Sequence, residues 1–381
     1  MGVLAESMNC KGVRTLGRGR QRNAVIDMVR IIFSMIILGY HFYGNGKKHF
    51  LGGYMGVEVF CVLAGFLFFR EYDQKRVAEL EMDQRFIYLK AHTGKRFWRF
   101  FGYSFIGYIM VFVVRYVWTN YNIISAKAFF DVMVRDIWEL LLVTMGGFNQ
   151  NSVTANKVIW TVSSMFLMEF FILGLLAIYE KKYLYFWMPA SVLCMCGWYI
   201  NDRQGSQYIF QGLTTVGNIR VYIAMCFGIG SYFLYKKLAS LEFRRFGAIL
   251  LTIAEGLCYA WCIYTTFRAG GGGLWLFCLC LAAGIAIAIT FSEKSYSSIF
   301  AKGNKMTDQF GEFSLCIYIV QASVLEYFMR TYGHENALWE RKFEFLGVTI
   351  LVTFIYMLFV KGIYSSAPKI IGKIKDSVMI T

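Results

Sequence analysis

The stretch Arg30-Ile-Ile-Phe-Ser-Met-Ile-Ile-Leu-Gly-Tyr-His41 decides how this chain is read. It is an apolar run with a guanidinium at one end and an imidazole at the other. At about 100° per residue, eleven steps turn a helix through almost three full turns, so Arg30 and His41 fall on one face roughly 16 Å apart. Asp27 and Ser34 lie three and four residues from Arg30 and share that face. Ionisable groups within a membrane helix face the protein interior and mark a functional path, so this stripe is expected to face inward.

Outward from this stretch, the same apolarity recurs along the whole chain. The 381 residues are 57% hydrophobic, 18% aromatic and only 17% charged, the balance of a membrane protein. Runs of spanning length fall near residues 25–43, 54–69, 98–118, 159–179, 184–200, 218–235, 246–267, 274–291, 312–329 and 345–364, each long enough to cross a bilayer. The expected fold is all-α, a polytopic membrane protein of about ten transmembrane helices. One transmembrane domain would cover 23–366, between a disordered basic leader at 1–22 and a short tail at 367–381. The leader has no apolar segment of the signal-peptide kind.

A net charge of +15 raises nucleic acid as a partner. The basic residues sit in short clusters between apolar runs, which is the pattern of membrane topology instead, and no nucleic-acid partner is expected. The richest clusters lie in the leader and in 70–99, 181–182, 236–245, 294–305 and 369–375. They fall on alternate connections, which puts both termini in the cytoplasm. Residues 125–145, apolar but broken by Lys127, Asp131, Arg135, Asp136 and Glu139, read as an interfacial or re-entrant helix. The ten cysteines form no C-x-x-C pair and lie almost entirely in apolar runs. They read as packing residues, so no metal site is expected.

Of four histidines only His41 is placed inside a span. With Arg30 and Asp27 on its face, the stripe offers an anion clamp and a general base. Glu58 in the second span is available to fix the imidazole's tautomer. Glu169, nine residues into the fourth span from Trp160, is a membrane carboxylate that needs a partner. Arg96 and Arg99 open the third span. Positive-inside anchoring alone accounts for them, but beside Arg30 they also suit a phosphate-binding mouth, since the planar guanidinium fork holds phosphate oxygens bidentately. No G-x-S-x-G, H-E-x-x-H or Walker sequence is present.

These residues resemble the signatures of the membrane-bound acyltransferase-3 family. Asp27-x-x-Arg30 with His41 is similar to its leading Arg-x10-His motif. Gly56-Val-Glu-Val-Phe60 and Val62-Leu-Ala-Gly-Phe66 are similar to its GV-acidic-x-F and SGF-type segments, and Arg96-x-x-Arg99 resembles its R-x-x-R entrance. Where the family often has a Glu after the Trp-Ser-Leu pattern, Met165 stands here, leaving Glu169 as the substitute. Gln321 stands where a His is common.

The resemblance implies an integral membrane O-acyltransferase of the bacterial cell membrane, with acyl-CoA, most commonly acetyl-CoA, as donor and no permanently bound cofactor. The acceptor would be a hydroxyl of an envelope glycan or lipid-linked saccharide, as in O-acetylation of a polysaccharide. Arg30, Arg96 and Arg99 would hold the donor's phosphates, its pantetheine arm would lie along the first helix, and His41 would act on the acceptor hydroxyl or carry the acyl group, with Glu58 or Glu169 assisting. The competing reading from another class is a polytopic glycan or lipid transporter, for which buried charges are equally natural.

Overall fold

The decisive stretch forms α1, Ala24–Phe42, and its start is fixed by its own sequence. The Asn23 side chain accepts hydrogen bonds from the amides of Val25 (3.0 Å) and Ile26 (3.4 Å), capping the first turn. The structure, a computed structural model, describes residues 23–42, 51–118, 126–146, 155–201, 209–210, 214–268, 273–303, 307–333 and 340–378. The basic leader therefore lies outside the described residues.

Past a short 3-10 turn comes α2, Gly56–Gln74, and then α3, Met82–Phe112, which ends in a π-turn over Val113–Trp118. The stretch 70–99, expected as a connection, is thus largely helical, and α3 begins well before residue 98. Arg85 secures the tight turn between α2 and α3 by donating to the carbonyls of Leu80 (2.9 Å), Ala78 (2.5 Å) and Ala177 (3.1 Å). The segment expected as an interfacial or re-entrant helix is two short helices, α4, Ala126–Arg135, and α5, Ile137–Leu140. Phe130 and Val134 stay exposed while Asp136 and Glu139 are buried.

Next come α6, Ile159–Lys182, a π-turn at Tyr183–Trp187, and α7, Met188–Asn201. The chain kinks at Tyr179, whose φ of −132° and ψ of 36° are not helical. From that bend α7 advances toward the start of α8, Val216–Ser240, with Ser191 bonded to Tyr222 (2.7 Å) and Cys196 packed on Ile219 and Ile223. A two-residue antiparallel ladder, Ile209–Phe210 with Thr214–Thr215, precedes α8. The remaining helices are α9, Arg245–Arg268; α10, Gly273–Ser292; α11, Thr307–Tyr332; and α12, Lys342–Val378.

Eight stretches among the described residues are long and apolar enough to cross a membrane, against about ten expected. The difference has a physical origin in two places. The expected fourth and fifth spans fall in one such stretch, Ile159–Trp198, and α8 is not among the eight because Asn218, Arg220 and its terminal lysines dilute its apolarity. The fold is an all-α polytopic membrane protein.

The main core lies among α1, α2, α6, α8 and α10, and a second joins α1, α3, α11 and α12. The closest approach is α2 on α8. A Cβ at Gly65 would run into the Met225 backbone, and one at Gly228 into the Val62 carbonyl, so small residues set this contact. α9 leans mainly on α10 and leaves Leu257 and Ile253 exposed, an outward face of the kind that meets lipid. The nine described cysteines are unpaired.

Candidate active site

The last turn of α1 carries His41 half-buried beside Tyr40. The Tyr40 ring lies 5.7 Å from that of Tyr54. Tyr54 in turn lies over the Arg220 guanidinium (5.2 Å), which Trp160 at the start of α6 covers from another side (5.5 Å). Between these aromatic walls Arg220 Nε donates to Glu58 Oε1 at 2.8 Å, and its Nη2 donates to the same oxygen.

Glu58 is 1% exposed and Arg220 5%, so the pair is sealed from solvent. Gly56 lets α2 start this close to α1, since a Cβ there would press on Ile37. From α11, the Tyr318 hydroxyl donates to the Val158 carbonyl (2.9 Å) and accepts from the Thr161 hydroxyl (2.8 Å), fixing the first turn of α6. Glu58 Oε2, Ser164 Oγ, Asn218 Oδ1 and Gln321 Oε1 are buried here without a hydrogen-bond partner among the described residues.

At the other end of α1, Arg30 Nη1 lies 3.5 Å from Asp27 Oδ1. Both side chains press on Gly311 of α11, where any Cβ would strike them. One turn on from Arg30 toward His41, Ser34 is 1% exposed and its hydroxyl donates to the Ser314 carbonyl (3.1 Å). The shared face expected for Arg30, Ser34 and His41 lies on one continuous helix, but at Ser34 it is closed against α11 rather than lining an open groove.

A second polar centre joins α3 and α6. Glu169, 3% exposed, accepts on Oε1 from His92 Nε2 (2.6 Å) and on Oε2 from Arg96 Nη2. His92 and Arg96 are four residues apart on α3 and so share a face. The Tyr88 hydroxyl is 3.4 Å from His92 Nδ1, and the Arg96 guanidinium lies over Phe100 (5.1 Å). Arg99 is exposed, and its carbonyl accepts from the Tyr364 hydroxyl (3.1 Å).

Two sequence-level pairings thus resolve differently. Glu58 gives its carboxylate to Arg220 and makes no hydrogen bond to His41, among the described residues. Glu169 joins Arg96 and His92 instead of the His41 turn. Arg220 and His92 are the residues that sequence reasoning passed over. An arginine two residues into the run 218–235 was itself a signal, because a cation inside a membrane helix needs a carboxylate.

Buried charge clusters at both ends of a long-helix bundle define a polytopic membrane protein built around internal polar sites. Residues 23–361 match the profile of the acyltransferase-3 family, described as an acyltransferase domain. The chain belongs to that family. No curated protein and no solved structure matches it.

Proposed function

We propose that this protein is an O-acyltransferase of the bacterial cytoplasmic membrane, with both termini in the cytoplasm, that moves a short acyl group, acetyl in the simplest case, from acyl-CoA to a hydroxyl of an envelope glycan or lipid-linked saccharide. The observation that carries the reading is the placement of His41, half-buried, on the same helix as Arg30 and on the turn whose Tyr40 ring meets Tyr54, the ring that covers the sealed Glu58–Arg220 pair.

In this reading an imidazole nitrogen takes the acceptor's proton as the hydroxyl oxygen bonds to the thioester carbon. The carbon–sulfur bond then breaks and the departing CoA sulfur takes a proton. Arg220 and Glu58 support the wall formed by Tyr54 and Trp160. The unpartnered oxygens of Ser164, Asn218 and Gln321 are groups that a hydroxyl-rich acceptor or water would satisfy.

Donor phosphates at Arg30, Arg96 and Arg99 would have to compete with Asp27 and Glu169 for two of these guanidinium groups. The pantetheine arm would pass beside the Ser34–Ser314 contact, or through it once the contact opens.

The test is acyl transfer from labelled acetyl-CoA by the protein in nanodiscs, with CoA binding measured in parallel. His41→Ala should lose roughly 10²- to 10⁴-fold in transfer while binding CoA normally. Undiminished transfer by that variant would remove His41 from the chemistry. A transporter would show neither CoA binding nor thioester cleavage.

A further inference from the structure

We propose that Arg70 is the centre of a binding site for a phosphate ester at the lysine-rich end of the bundle, between α2, α8 and α10. Arg70 differs from the other arginines that are at least partly buried in the described residues. Arg30, Arg96, Arg115 and Arg220 each meet a carboxylate, and Arg85 meets three backbone carbonyls. Arg70 has no oxygen partner among the described residues, and its Nε is buried with its hydrogen-bonding capacity unused.

The acidic residues close to it in sequence are engaged elsewhere. Asp73, at the i+3 position where a helical partner would stand, accepts from the Tyr232 hydroxyl (2.6 Å) and from Lys236 (3.2 Å). Glu71 pairs with Lys75 (2.8 Å).

What surrounds Arg70 is aromatic. Its guanidinium carbon lies 5.3 Å from the centre of the Phe291 ring and 5.9 Å from that of Tyr235. Phe291 is itself stacked on Phe66. Rings of this kind attract the cation but accept none of the in-plane N–H bonds, so the donors that a guanidinium offers to a planar or tetrahedral oxyanion remain available. Ring contacts compensate a partly desolvated cation only weakly, so an oxyanion is the stronger partner.

The neighbouring segments add positive charge, through Lys236 and Lys237 at the end of α8, Arg244 and Arg245 at the start of α9, and Lys294 just after α10. Phe246, Tyr296 and Phe300 are exposed at the same end, as expected of residues at a membrane interface. A bidentate fork between aromatic rings, in a basic field at that depth, suits a phosphate held by two oxygens. The phosphate belongs either to an anionic lipid headgroup or to a soluble ester, and the chemistry at Arg70 is the same. None of this draws on Arg30, Arg96 or Arg99, so the site stands apart from the donor reading above.

The experiment uses the full chain, stripped of lipid in a maltoside detergent, with the unfolding midpoint as readout. Phosphatidylglycerol is titrated in one arm and inorganic phosphate in the other, against chloride at equal ionic strength. The wild type should gain several degrees with at least one probe, Arg70→Gln should lose that gain, and Arg70→Lys, keeping the charge but not the fork, should retain a fraction of it. A response to phosphatidylglycerol alone identifies a lipid site, and a response to inorganic phosphate a soluble ester. Without either probe Arg70→Gln should unfold within a few degrees of the wild type, because the ring contacts it gives up are offset by the removal of a cation that has no counter-charge. If it does not fold, Arg70→Lys alone decides by the size of its response. A wild type that responds to neither probe, or variants that respond as the wild type does, would overturn the proposal.

Discussion

Removing one member of the Glu58–Arg220 pair should unfold the protein far more readily than removing both. The side chains are 2% and 6% exposed, so solvent screens their attraction very little. At an effective dielectric of about 20, charges some 4 Å apart attract by about 4 kcal/mol, which is comparable with the cost of burying them. The intact pair is therefore close to neutral in net stability. Arg220→Met leaves a buried carboxylate with no cation, and Glu58→Gln leaves a buried guanidinium between two rings. Each should cost about 3–5 kcal/mol. The double variant Glu58→Gln/Arg220→Met removes both charges and should cost about 0–2 kcal/mol, less than either single change. The assay is reversible unfolding in mixed micelles, run as a double-mutant cycle. Losses that simply add, or single losses below about 1 kcal/mol, would refute the view that the two groups form one sealed electrostatic unit.

Four further outcomes follow from the geometry. Gly65→Ala should cost about 1–3 kcal/mol, because the added methyl meets the Met225 backbone, whereas Gly174→Ala, with nothing near its Cβ, should be neutral or slightly stabilising in the same melting experiment. Burial pushes the Glu139 carboxyl up to about 8, against the amides of Asn156 and Ala155 and with Asp136 adding to the rise. The folded state then holds a proton that the unfolded chain has released, so stability falls as pH rises from about 5 to 8, and Glu139→Gln should flatten that slope in melts across the range. Glu169→Gln should free Arg96 and lower the donor KM a few-fold with kcat unchanged in steady-state kinetics. A fall in kcat instead would put Glu169 in the chemistry. Tyr318→Phe, which removes the hydroxyl that holds Val158 and Thr161, should cost about 1–3 kcal/mol in unfolding experiments.

α1 is legible in the sequence because an apolar run with Asn23 before it carries both its period and its cap. That 126–140 is helical is legible for a similar reason, since its charges recur at helical spacing among apolar residues. The long start of α3 is harder to see. Hydropathy treats 82–97 as a connection because it is polar and basic, yet Met, Gln, Arg, Leu and Lys there favour helix, and that helix brings His92 and Arg96 to Glu169. Partners across the fold are not legible at all from local spacing. Glu58 and Arg220 are 162 residues apart, and only the expense of an unpaired membrane charge indicates that each has a partner.

Spacing also cannot say whether a shared face meets a void or another helix, and Ser34 shows why. A small hydroxyl between Arg30 and His41 is what a groove for an extended arm would need, and it is equally what lets α11 approach closely enough to offer the Ser314 carbonyl. The packed arrangement is the one present. A single neutral hydrogen bond of this kind contributes about 1 kcal/mol net, whereas a donor bound at micromolar affinity supplies about 8 kcal/mol. The hydrogen bond itself is therefore a small obstacle to a ligand, and what keeps α1 and α11 together is the apolar core they share through Leu38, Phe42, Ile317 and Val320. If α1 and α11 do separate for the donor, Ser34→Val, which removes the hydroxyl and adds bulk at the contact, should change the KM for acyl-CoA while leaving the Glu58–Arg220 coupling intact. An unchanged KM would mean that the arm takes another path to His41.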